Sequence, residues 1–558
     1  MRVSTSKTRK RFSSQPSRRE YWLPVKPRCR DDSLFHHPTP TMPSDSRQSG
    51  KLPSFDSACA EESNLLLHNQ NRHAAQDLRD FLWNHKKSIA GVVRAHLGLK
   101  SRDSCLILSP KHWFQGGFNI CVLVEVTWQD APPKKIVFRC PMPHKLAEEQ
   151  YPGTIDEKVS CEVASYVWMQ ERCADVRIPY LYAFGFTDST HFTHTRHMPL
   201  YSRAYRTLCR WVYRFLGLPL LSNYVQNTSV QAFGTAYTIL EYIGPEIGQM
   251  LSITWAEHAN DVARQTRLYH GLARIILSLA RVPQPLIGAY RFNTIDGTIS
   301  LTNRALLCSA IIMESSGTPR TIQPQQTYQS VDSFASDMLT LHDNYLLYQP
   351  HAVRDEDDAH ERLTIRTLLR GVTHHFITPS RRNGPFLLQL TDLHQSNIFV
   401  DSEWNVTCMI DLEWICSLPV EMLSVPYWLT SCSIDGIIGA EYNRYDCARE
   451  DFLAAMEEEA ETTVLKPEHD ILVTQSMRET WLSKGVWFWA CIRSLNGWLF
   501  VFEDHILPRF SDNKNLVGCL KQASALWKED VGSVVKAKVE DEERYKEELR
   551  AFFATSQE

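Results

Sequence analysis

The segment from Leu388 to Trp414 constrains the fold most, because apolar runs alternate there with polar residues in a fixed order. One apolar run ends at Asp392, and Asn397 follows five residues later. Another apolar run begins at Ile398, and a further β-rich stretch ends at Asp411. Strand, short loop, hairpin-like return and second loop would bring the two carboxylates and the amide to one side of the structure.

These three side chains fit the requirements of phosphoryl transfer. The reaction needs one carboxylate beside the attacking hydroxyl and oxygen ligands for the magnesium ions that hold the triphosphate. Carboxylate and amide oxygens are ligands of the hard type that Mg²⁺ takes. Asp392 would therefore orient the hydroxyl, and Asn397 and Asp411 would hold the metal. The alternative is that Asp392 and Asn397 only satisfy backbone groups of a turn, as both residue types often do.

The runs Asp392-Leu393-His394-Gln395-Ser396-Asn397 and Ile410-Asp411-Leu412-Glu413-Trp414 resemble the catalytic core of the aminoglycoside phosphotransferase-like kinases, particularly their large fungal group. The resemblance covers roughly residues 75 to 530. It implies an α+β, two-lobed protein-kinase-like fold, with a small antiparallel β-rich N-lobe and a larger, mainly helical C-lobe. It also implies ATP and Mg²⁺ as cofactors, and a nucleotide and a small-molecule hydroxyl acceptor as partners.

Residues 73–244 carry the pattern expected of the smaller lobe. The sequence predicts a helix from about residue 74 to residue 98, short strands at 105–108, 118–128 and 135–140, and a second helix at 158–170. The resemblance assigns Gly116 and Gly117 to the turn above the nucleotide, where backbone N–H groups can approach phosphate oxygens. It assigns Arg139 and Glu162 to the ion pair that aims positive charge at the α- and β-phosphates. A surface ion pair of little energetic value is the alternative for this pair.

The run from Tyr237 to Gly244 separates the β-rich half from the helical half. In a two-lobed kinase it would be the hinge, and the resemblance assigns backbone groups near Glu241 and Ile243 to the adenine edge. Residues 245–558 are the predicted C-lobe. Its main helices are predicted at 256–281, 361–373, 448–465, 477–495 and 534–553, with a hairpin at 287–301.

The segment at about 189–230 reads as a basic insertion into the N-lobe. No Asp or Glu occurs between Ser189 and Leu240, and arginines recur at 203, 206, 210 and 214. A basic amphipathic helix with this row could contact an anionic membrane surface or an acidic partner. Packing of the insertion on its own lobe is the alternative.

Residues 1–72 read as a disordered tail, because they mix Ser, Pro, Arg and His with few large aliphatic residues. The first thirty residues contain ten Lys or Arg and a single acid, Glu20. A cytoplasmic location is expected. A mitochondrial presequence, or a nuclear signal at residues 7–11, is the alternative that the basic tail leaves open.

The bulk composition excludes several function classes. A net charge of -4 gives no reason to expect a nucleic-acid partner. The fifteen cysteines include no Cys-x-x-Cys, which indicates free thiols in a reducing compartment and neither a zinc nor a redox motif. The most apolar run, Val486 to Ile492, is too short to cross a bilayer, so no transmembrane segment is expected.

The predicted function is ATP- and Mg²⁺-dependent transfer of the γ-phosphoryl group to a hydroxyl of a small molecule. Two departures from the family pattern keep a second hypothesis open: Leu390 stands where a histidine is usual, and Arg139 stands in place of lysine. The second hypothesis is a catalytically silent kinase-like module that binds nucleotide or a partner. A protein kinase, including a mitochondrial one, is the third, and the short segment after Asp411 disfavours it.

Overall fold

The structure, a computed structural model, describes residues 54–61, 63–129, 131–461, 466–495, 497–513 and 516–555. These residues form a mixed α+β fold whose largest sheet is antiparallel. The helices are α1 (Phe55–Ala60), α2 (Leu65–Asn84), α3 (Lys86–Leu97), α4 (Thr154–Arg172), α5 (Leu200–Phe215), α6 (Leu251–His258), α7 (Val262–Ala280), α8 (Cys308–Ser315), α9 (Val331–Tyr348), α10 (Glu356–Val372), α11 (Gly439–Ala460), α12 (Val473–Leu482), α13 (Gly485–Arg493), α14 (Trp498–Val501), α15 (Leu507–Phe510), α16 (Leu516–Cys519) and α17 (Val531–Thr555). The strands are β1 (Ser104–Ile107), β2 (Phe114–Gln115), β3 (Asn119–Thr127), β4 (Lys134–Pro141), β5 (Leu181–Gly185), β6 (His191–His194), β7 (Leu220–Leu221), β8 (Tyr224–Gln226), β9 (Tyr237–Glu241), β10 (Gln249–Met250), β11 (Ala289–Phe292), β12 (Thr298–Asn303), β13 (Leu387–Leu390), β14 (Ile398–Val400), β15 (Val406–Met409) and β16 (Ile415–Leu418).

The largest sheet has the strand order β1-β3-β4-β9-β5-β6-β8, and β2 pairs with β3 at one side. Successive side chains of a strand point to opposite faces. In β4, Phe138 and Cys140 therefore pack into the core that α2 and α3 share with the sheet. Arg139 lies between them and points the other way, toward Glu162 of α4. This alternation delivers one cation to the side of the sheet that faces α4.

The helical half is built around α7 and α11. Leu268, Leu272 and Ile276 of α7 form the predicted apolar stripe, and they are buried in one core with Phe452 of α11. The single helix predicted over 256–281 is in fact two, α6 and α7. The break occurs because Asp261 caps the second helix, accepting a 3.1 Å hydrogen bond from the Arg264 backbone N–H.

Two further predicted helices are also split. The helix expected from residue 74 to 98 begins at Leu65 and is interrupted at His85, between α2 and α3. The helix expected over 477–495 is interrupted at Lys484, whose φ of 63° is left-handed. The acidic residues 355–358 are not a turn before a helix: Asp355 caps α10 and the others form its first turn. Acidic groups suit that position because the amino end of a helix carries partial positive charge.

The prediction that residues 1–72 are disordered is wrong for residues 54–61 and 63–72, and residues 1–53 lie outside the described part of the chain. Helix α1 and the start of α2 pack on α17 at the other end of the sequence. Phe55 meets Phe553 edge to face at 6.2 Å, and the Leu65 backbone N–H donates to Tyr545 Oη at 3.1 Å. A composition averaged over the whole tail hid these few apolar residues.

The helix predicted for the basic insertion exists as α5, and two members of its arginine row, Arg206 and Arg210, face inward. Arg206 donates to the carbonyl oxygens of Ser222 at 2.8 Å and Gly297 at 3.2 Å, and Arg210 pairs with Glu171 of α4. For Arg206 and Arg210 the alternative therefore holds, and the insertion packs on other residues of its own chain. Backbone carbonyls and one acid of the same chain already satisfy these guanidinium groups.

Two absences can be stated for the described part of the chain. None of its helices combines the length and the apolar character needed to span a membrane. Its cysteine side chains form no disulfide bond.

Candidate active site

Two antiparallel strand pairs bring the polar loops of the 388–414 segment together. Strand β13 pairs with β16, with Leu390 opposite Ile415, and β14 pairs with β15, with Ile398 opposite Met409. Residues 391–397 and 410–414 are thus two loops held between the same two strand pairs. Each loop leaves the pairing with its polar side chains beside those of the other loop.

The first loop contains Asp392 and Asn397, which contact each other. Asn397 Nδ2 donates to the backbone carbonyl of Asp392 at 3.0 Å. This bond leaves Asn397 Oδ1, which accepts no hydrogen bond from the described residues, as the free oxygen of the amide. His394 lies beside them, with Nε2 3.7 Å from Asp392 Oδ2. The loop thus fixes an acceptor oxygen next to a carboxylate.

The second loop carries Asp411, which is joined to the sheet through Arg139. Asp411 has a left-handed φ of 64°, a strained value for a residue with a side chain. The Ile410 N–H donates to the Asn397 carbonyl at 2.9 Å, which ties the two loops together. Arg139 contacts Asp411 Oδ1, Glu162 Oε1 and, at 3.0 Å, Glu413 Oε2. The structure therefore brings Arg139, Glu162 and Asp411 into one cluster.

Sequence reasoning missed three members of this cluster: Asn119, Lys158 and Glu413. Lys158 Nζ pairs with Glu413 and lies 3.5 Å from Glu162 Oε2. Asn119 bridges them, donating to Glu413 Oε2 and accepting from Lys158 Nζ, both at 3.0 Å. A usable signal for Lys158 was present, because it stands four residues before Glu162 and so on the same face of α4.

The cluster holds three carboxylates against two cations, so one negative charge remains. Burial lowers the pKa of the Arg139 guanidinium, but the charges of Asp411, Glu162 and Glu413 more than reverse this and hold it well above its ordinary value. Arg139 and Lys158 are both buried. Carboxylates without a full complement of cations attract a further positive charge to this point.

The predicted hinge and glycine turn lie around the same space. The Glu241 side chain is fixed by a 3.1 Å hydrogen bond from the Tyr180 N–H. The backbone N–H of Ile243 has no hydrogen-bond partner among the described residues, although its side chain packs on Phe399. Gly116 and Gly117 form the turn between β2 and β3, closed by the Gly116 N–H donating to Asn119 at 3.0 Å.

One cavity of about 230 Å³ lies between the sheet and the two loops, and we call it the sheet cavity. It is lined by every site residue predicted from the sequence except Glu162, which contacts Arg139 from behind. These residues are Gly116, Gly117, Arg139, Glu241, Ile243, Asp392, Asn397 and Asp411. Residues up to 295 positions apart in the chain thus face one space.

A second cavity, of about 190 Å³, lies on the helical side of Asp392, and we call it the helix cavity. Its polar lining includes Thr391, Asp392, Ser424, Tyr427 and Arg493. The rest of its wall is mainly apolar and comes from α7, α8, α13 and the 422–428 segment. Asp392 and His394 line both cavities, so the loop that carries them lies at the junction.

The donor atoms at this junction fit magnesium. Asp411 Oδ2 accepts no hydrogen bond from a described residue, and Asn397 Oδ1 is likewise an oxygen without a donor. Among the described residues no three His, Cys, Asp or Glu side chains cluster as in an all-protein metal site. Mg²⁺ commonly takes one or two protein ligands and completes its shell with phosphate oxygens and water, which is compatible with this sparse donor set.

Comparisons with family models and with curated proteins do not assign a function to this site. No protein-family model matches the chain, and no curated protein matches it either.

Proposed function

We propose that the chain is an ATP- and Mg²⁺-dependent phosphotransferase that transfers the γ-phosphoryl group to a hydroxyl of a small molecule. The observation that carries the proposal is the position of Asp392 on the walls of two cavities. Phosphoryl transfer requires a donor and an acceptor that meet in line at one carboxylate. A carboxylate on the walls of both cavities could contact a donor in one and an acceptor in the other.

The proposal includes a two-lobed, kinase-like arrangement of the fold. The antiparallel sheet with α4 would be the smaller lobe, and the helices after residue 245 the larger one. The sheet cavity would then take the nucleotide, with the backbone of Glu241 and Ile243 at the adenine edge and the turn at Gly116 and Gly117 over the phosphates. The helix cavity would take the acceptor.

The roles of the residues follow from their contacts. Asn397 Oδ1 and Asp411 would hold Mg²⁺, and the bound metal–nucleotide would supply the phosphoryl group with its charge neutralised. Arg139, oriented by Glu162, would hold phosphate oxygens through its guanidinium group. Asp392 would hold the acceptor hydroxyl and accept its proton. Positioning and charge neutralisation would supply most of the rate enhancement.

A catalytically silent nucleotide-binding module is the second candidate, and one contact favours it. Arg139 Nη2 pairs directly with Asp411 Oδ1, which engages a carboxylate that the metal needs. Leu390, in place of the usual histidine, lies at the end of β13 and lines only the helix cavity. Nucleotide binding without turnover is the behaviour expected of such a module.

A protein kinase is the less favoured candidate. The chain passes from Asp411 into β16 at Ile415 and reaches Pro426 eleven residues later. This short connection leaves little room for an ordered segment that would dock an extended peptide.

Thermal unfolding with and without ATP and Mg²⁺ tests nucleotide use. We expect stabilisation of the wild type, and its loss in Asp411→Ala because a metal ligand is removed. Asp512→Asn, at an exposed position after α15, is the matched control and must respond as the wild type does. No shift at millimolar nucleotide would contradict both the phosphotransferase and the silent nucleotide-binding module.

Turnover with a library of small hydroxyl compounds separates the two candidates. Asp392→Asn should keep the nucleotide-dependent stabilisation but lose about 10²- to 10⁴-fold in rate, the usual contribution of a general base. If the wild type binds nucleotide and phosphorylates no compound, the silent module is supported instead.

A further inference from the structure

The wall of the helix cavity contains a cation that has no counter-ion. Arg493, the last residue of α13, lines this cavity and keeps part of its surface accessible. Its one hydrogen bond is a 3.4 Å contact from Nη2 to Ser424 Oγ. No carboxylate of the described residues lies within ion-pair distance of it, whereas the buried Arg139, Arg304 and Arg366 each pair with at least one.

The surroundings of Arg493 are unfavourable for an isolated charge. Burial lowers its pKa, and only the phenols of Tyr427 and Tyr445 oppose this effect. The carboxyl end of α13 attracts positive charge and so helps the fold to carry the cation. Four of the five N–H donors of the guanidinium group make no hydrogen bond to the described residues, so they are available to a ligand in the cavity.

Arg493 and Asp392 both influence the pKa of the Tyr427 side chain. Tyr427 lines the helix cavity with them. Burial raises the pKa of its phenol to about 12, the negative charge of Asp392 adds to this shift, and the positive charge of Arg493 opposes it. The cavity therefore offers, within the reach of one tyrosine, a carboxylate that can hold a hydroxyl and a guanidinium group that can hold an anion.

We propose that the acceptor is a hydroxy acid: a small molecule with an apolar body, a hydroxyl held by Asp392 and a carboxylate held by Arg493. This inference rests on the proposed function, since it names the substrate class for the same site. A carboxylate matches the guanidinium group in charge and in its two-pronged geometry. The apolar lining from Ile276, Met422 and Val486 would take the body of the molecule.

Ligand-induced stabilisation of the full chain tests the inference without relying on turnover. The probes are 2-hydroxy-4-methylpentanoate and 3-phenyllactate, each compared with its own primary amide, which has the same shape without the charge. We expect each acid to bind at least tenfold more tightly than its amide. Equal binding of acid and amide, or no binding of either acid, would overturn the inference.

Variants at Arg493 separate a binding role from a structural one. Arg493→Met should bind acid and amide equally, and it should unfold at a higher temperature than the wild type without ligand because an unpaired charge has been removed. Arg493→Lys should fold normally and lose at least tenfold in affinity for the acids. Lower stability of Arg493→Met, or a failure to fold, would assign Arg493 to the fold and overturn the inference.

Arg449→Met is the matched control for this series. Arg449 is a buried arginine outside the helix cavity that pairs with Asp446 and Glu450. Its replacement should lower stability and leave the preference for acids unchanged. Failure of the proposed function has a different signature, which is the absence of ATP-dependent stabilisation and of turnover in a protein that still binds the acids.

A second, independent observation concerns the outer face of α5. Arg206 and Arg210 are turned toward the protein, so the opposite side of the helix faces solvent. The exposed apolar residues on and just after this helix are Leu200, Tyr201, Tyr205, Leu208, Trp211, Phe215, Leu216 and Leu218. Most are more than half exposed, including Trp211 at 64% and Phe215 at 77%. Soluble proteins seldom leave such a continuous apolar stripe uncovered.

The charges around this stripe identify what would cover it. Arg196 and Arg203 are exposed beside it, and Arg214 is exposed as well but pairs with Glu171 of α4. No Asp or Glu occurs between Ser189 and Leu240. Aromatic residues on an apolar face with cations at its margin are typical of helices that lie in a membrane interface. We infer that α5 docks the protein on the surface of a membrane that contains anionic lipid.

Co-sedimentation of the full chain with lipid vesicles tests this docking. We expect binding to phosphatidylcholine vesicles with 30% phosphatidylserine, and at least tenfold weaker binding by Trp211→Ser/Phe215→Ser. Leu482→Ser, at an exposed apolar position at the end of α12, is the control and should bind as the wild type does. Absence of vesicle binding, equal binding by the double variant, or a dimer in solution that the double variant abolishes would overturn the inference.

Discussion

Acidification should destabilise this protein through two buried histidines, and His96 offers the clearest test. His96 is on α3 and its side chain faces the sheet, with Nδ1 2.7 Å from Thr193 Oγ1 and Nε2 2.8 Å from Tyr237 Oη. Burial, with a smaller contribution from His191 and His197, lowers its pKa from 6.5 to about 3. His342 is lowered to about 3 in the same way, mainly by burial. Both imidazoles are therefore neutral in the folded protein at mildly acidic pH.

The sign and size of the effect follow from proton linkage. Below pH 6.5 the unfolded chain binds a proton at each of these histidines and the folded protein does not, so stability falls as the pH falls. The loss continues until the folded pKa of about 3 is reached. At pH 4.5, two units below the unfolded value, each histidine costs about 2.7 kcal/mol at about 1.4 kcal/mol per unit. Together the two histidines would remove a large part of the free energy of unfolding, which is roughly 5–15 kcal/mol for a folded protein.

Urea unfolding followed by tryptophan fluorescence at pH 7 and pH 4.5 measures the effect. His96→Gln should be less stable than the wild type at pH 7, but its loss between the two pH values should be smaller by about 2.7 kcal/mol. Thr193→Val is the control, because it removes a hydrogen-bond partner and keeps the imidazole. It should lower stability at both pH values and keep the wild-type pH dependence. An unchanged pH dependence in His96→Gln would refute the reasoning.

Three further changes have expected outcomes. Arg304 is buried between Glu157 and Glu314, so Arg304→Met should lower the free energy of unfolding by about 3–5 kcal/mol in a urea titration. Glu413→Gln removes the negative charge that faces two buried cations. It should lower the thermal stability and weaken the ATP-dependent thermal shift. An unchanged ATP-dependent shift would show that Glu413 does not contribute to the site. A Cβ at Gly248 would lie 2.7 Å from the Val400 carbonyl oxygen, so Gly248→Ala should lower the thermal midpoint. Gly371→Ala, in open space on α10, should raise stability by up to about 1 kcal/mol.

The local order of the site residues could be read from the sequence because each depends on short-range pattern. Strand alternation sends Arg139 away from Phe138, and the polar loop after β13 carries Asp392 and Asn397 at a separation that one loop can close. The sequence suggested only as a hypothesis that these residues converge on one cavity, and in the structure they line the same cavity. Their chemical roles stay predictions.

Other features depend on packing that no local pattern reveals. The orientation of α5 is one example. An amphipathic helix has two sides, and the contacts with Glu171 and with the carbonyls near Ser222 decide which side of α5 packs inward. Arg493 is another: an arginine at the end of an aromatic helix gives no sign in the sequence that it lacks a carboxylate partner. The helix breaks at His85 and Lys484 likewise depend on tertiary contacts, since the apolar pattern continues across both.

The contact between α1 and α17 places the two ends of the described chain side by side. A shortened protein that starts at residue 73, as the composition of the tail would suggest, loses the residues that cover Tyr545 and Leu549. Such a protein would carry an exposed apolar strip on its last helix and would be prone to self-association. Fusion partners or affinity tags joined directly to residues 54 and 555 would, for the same reason, be close neighbours.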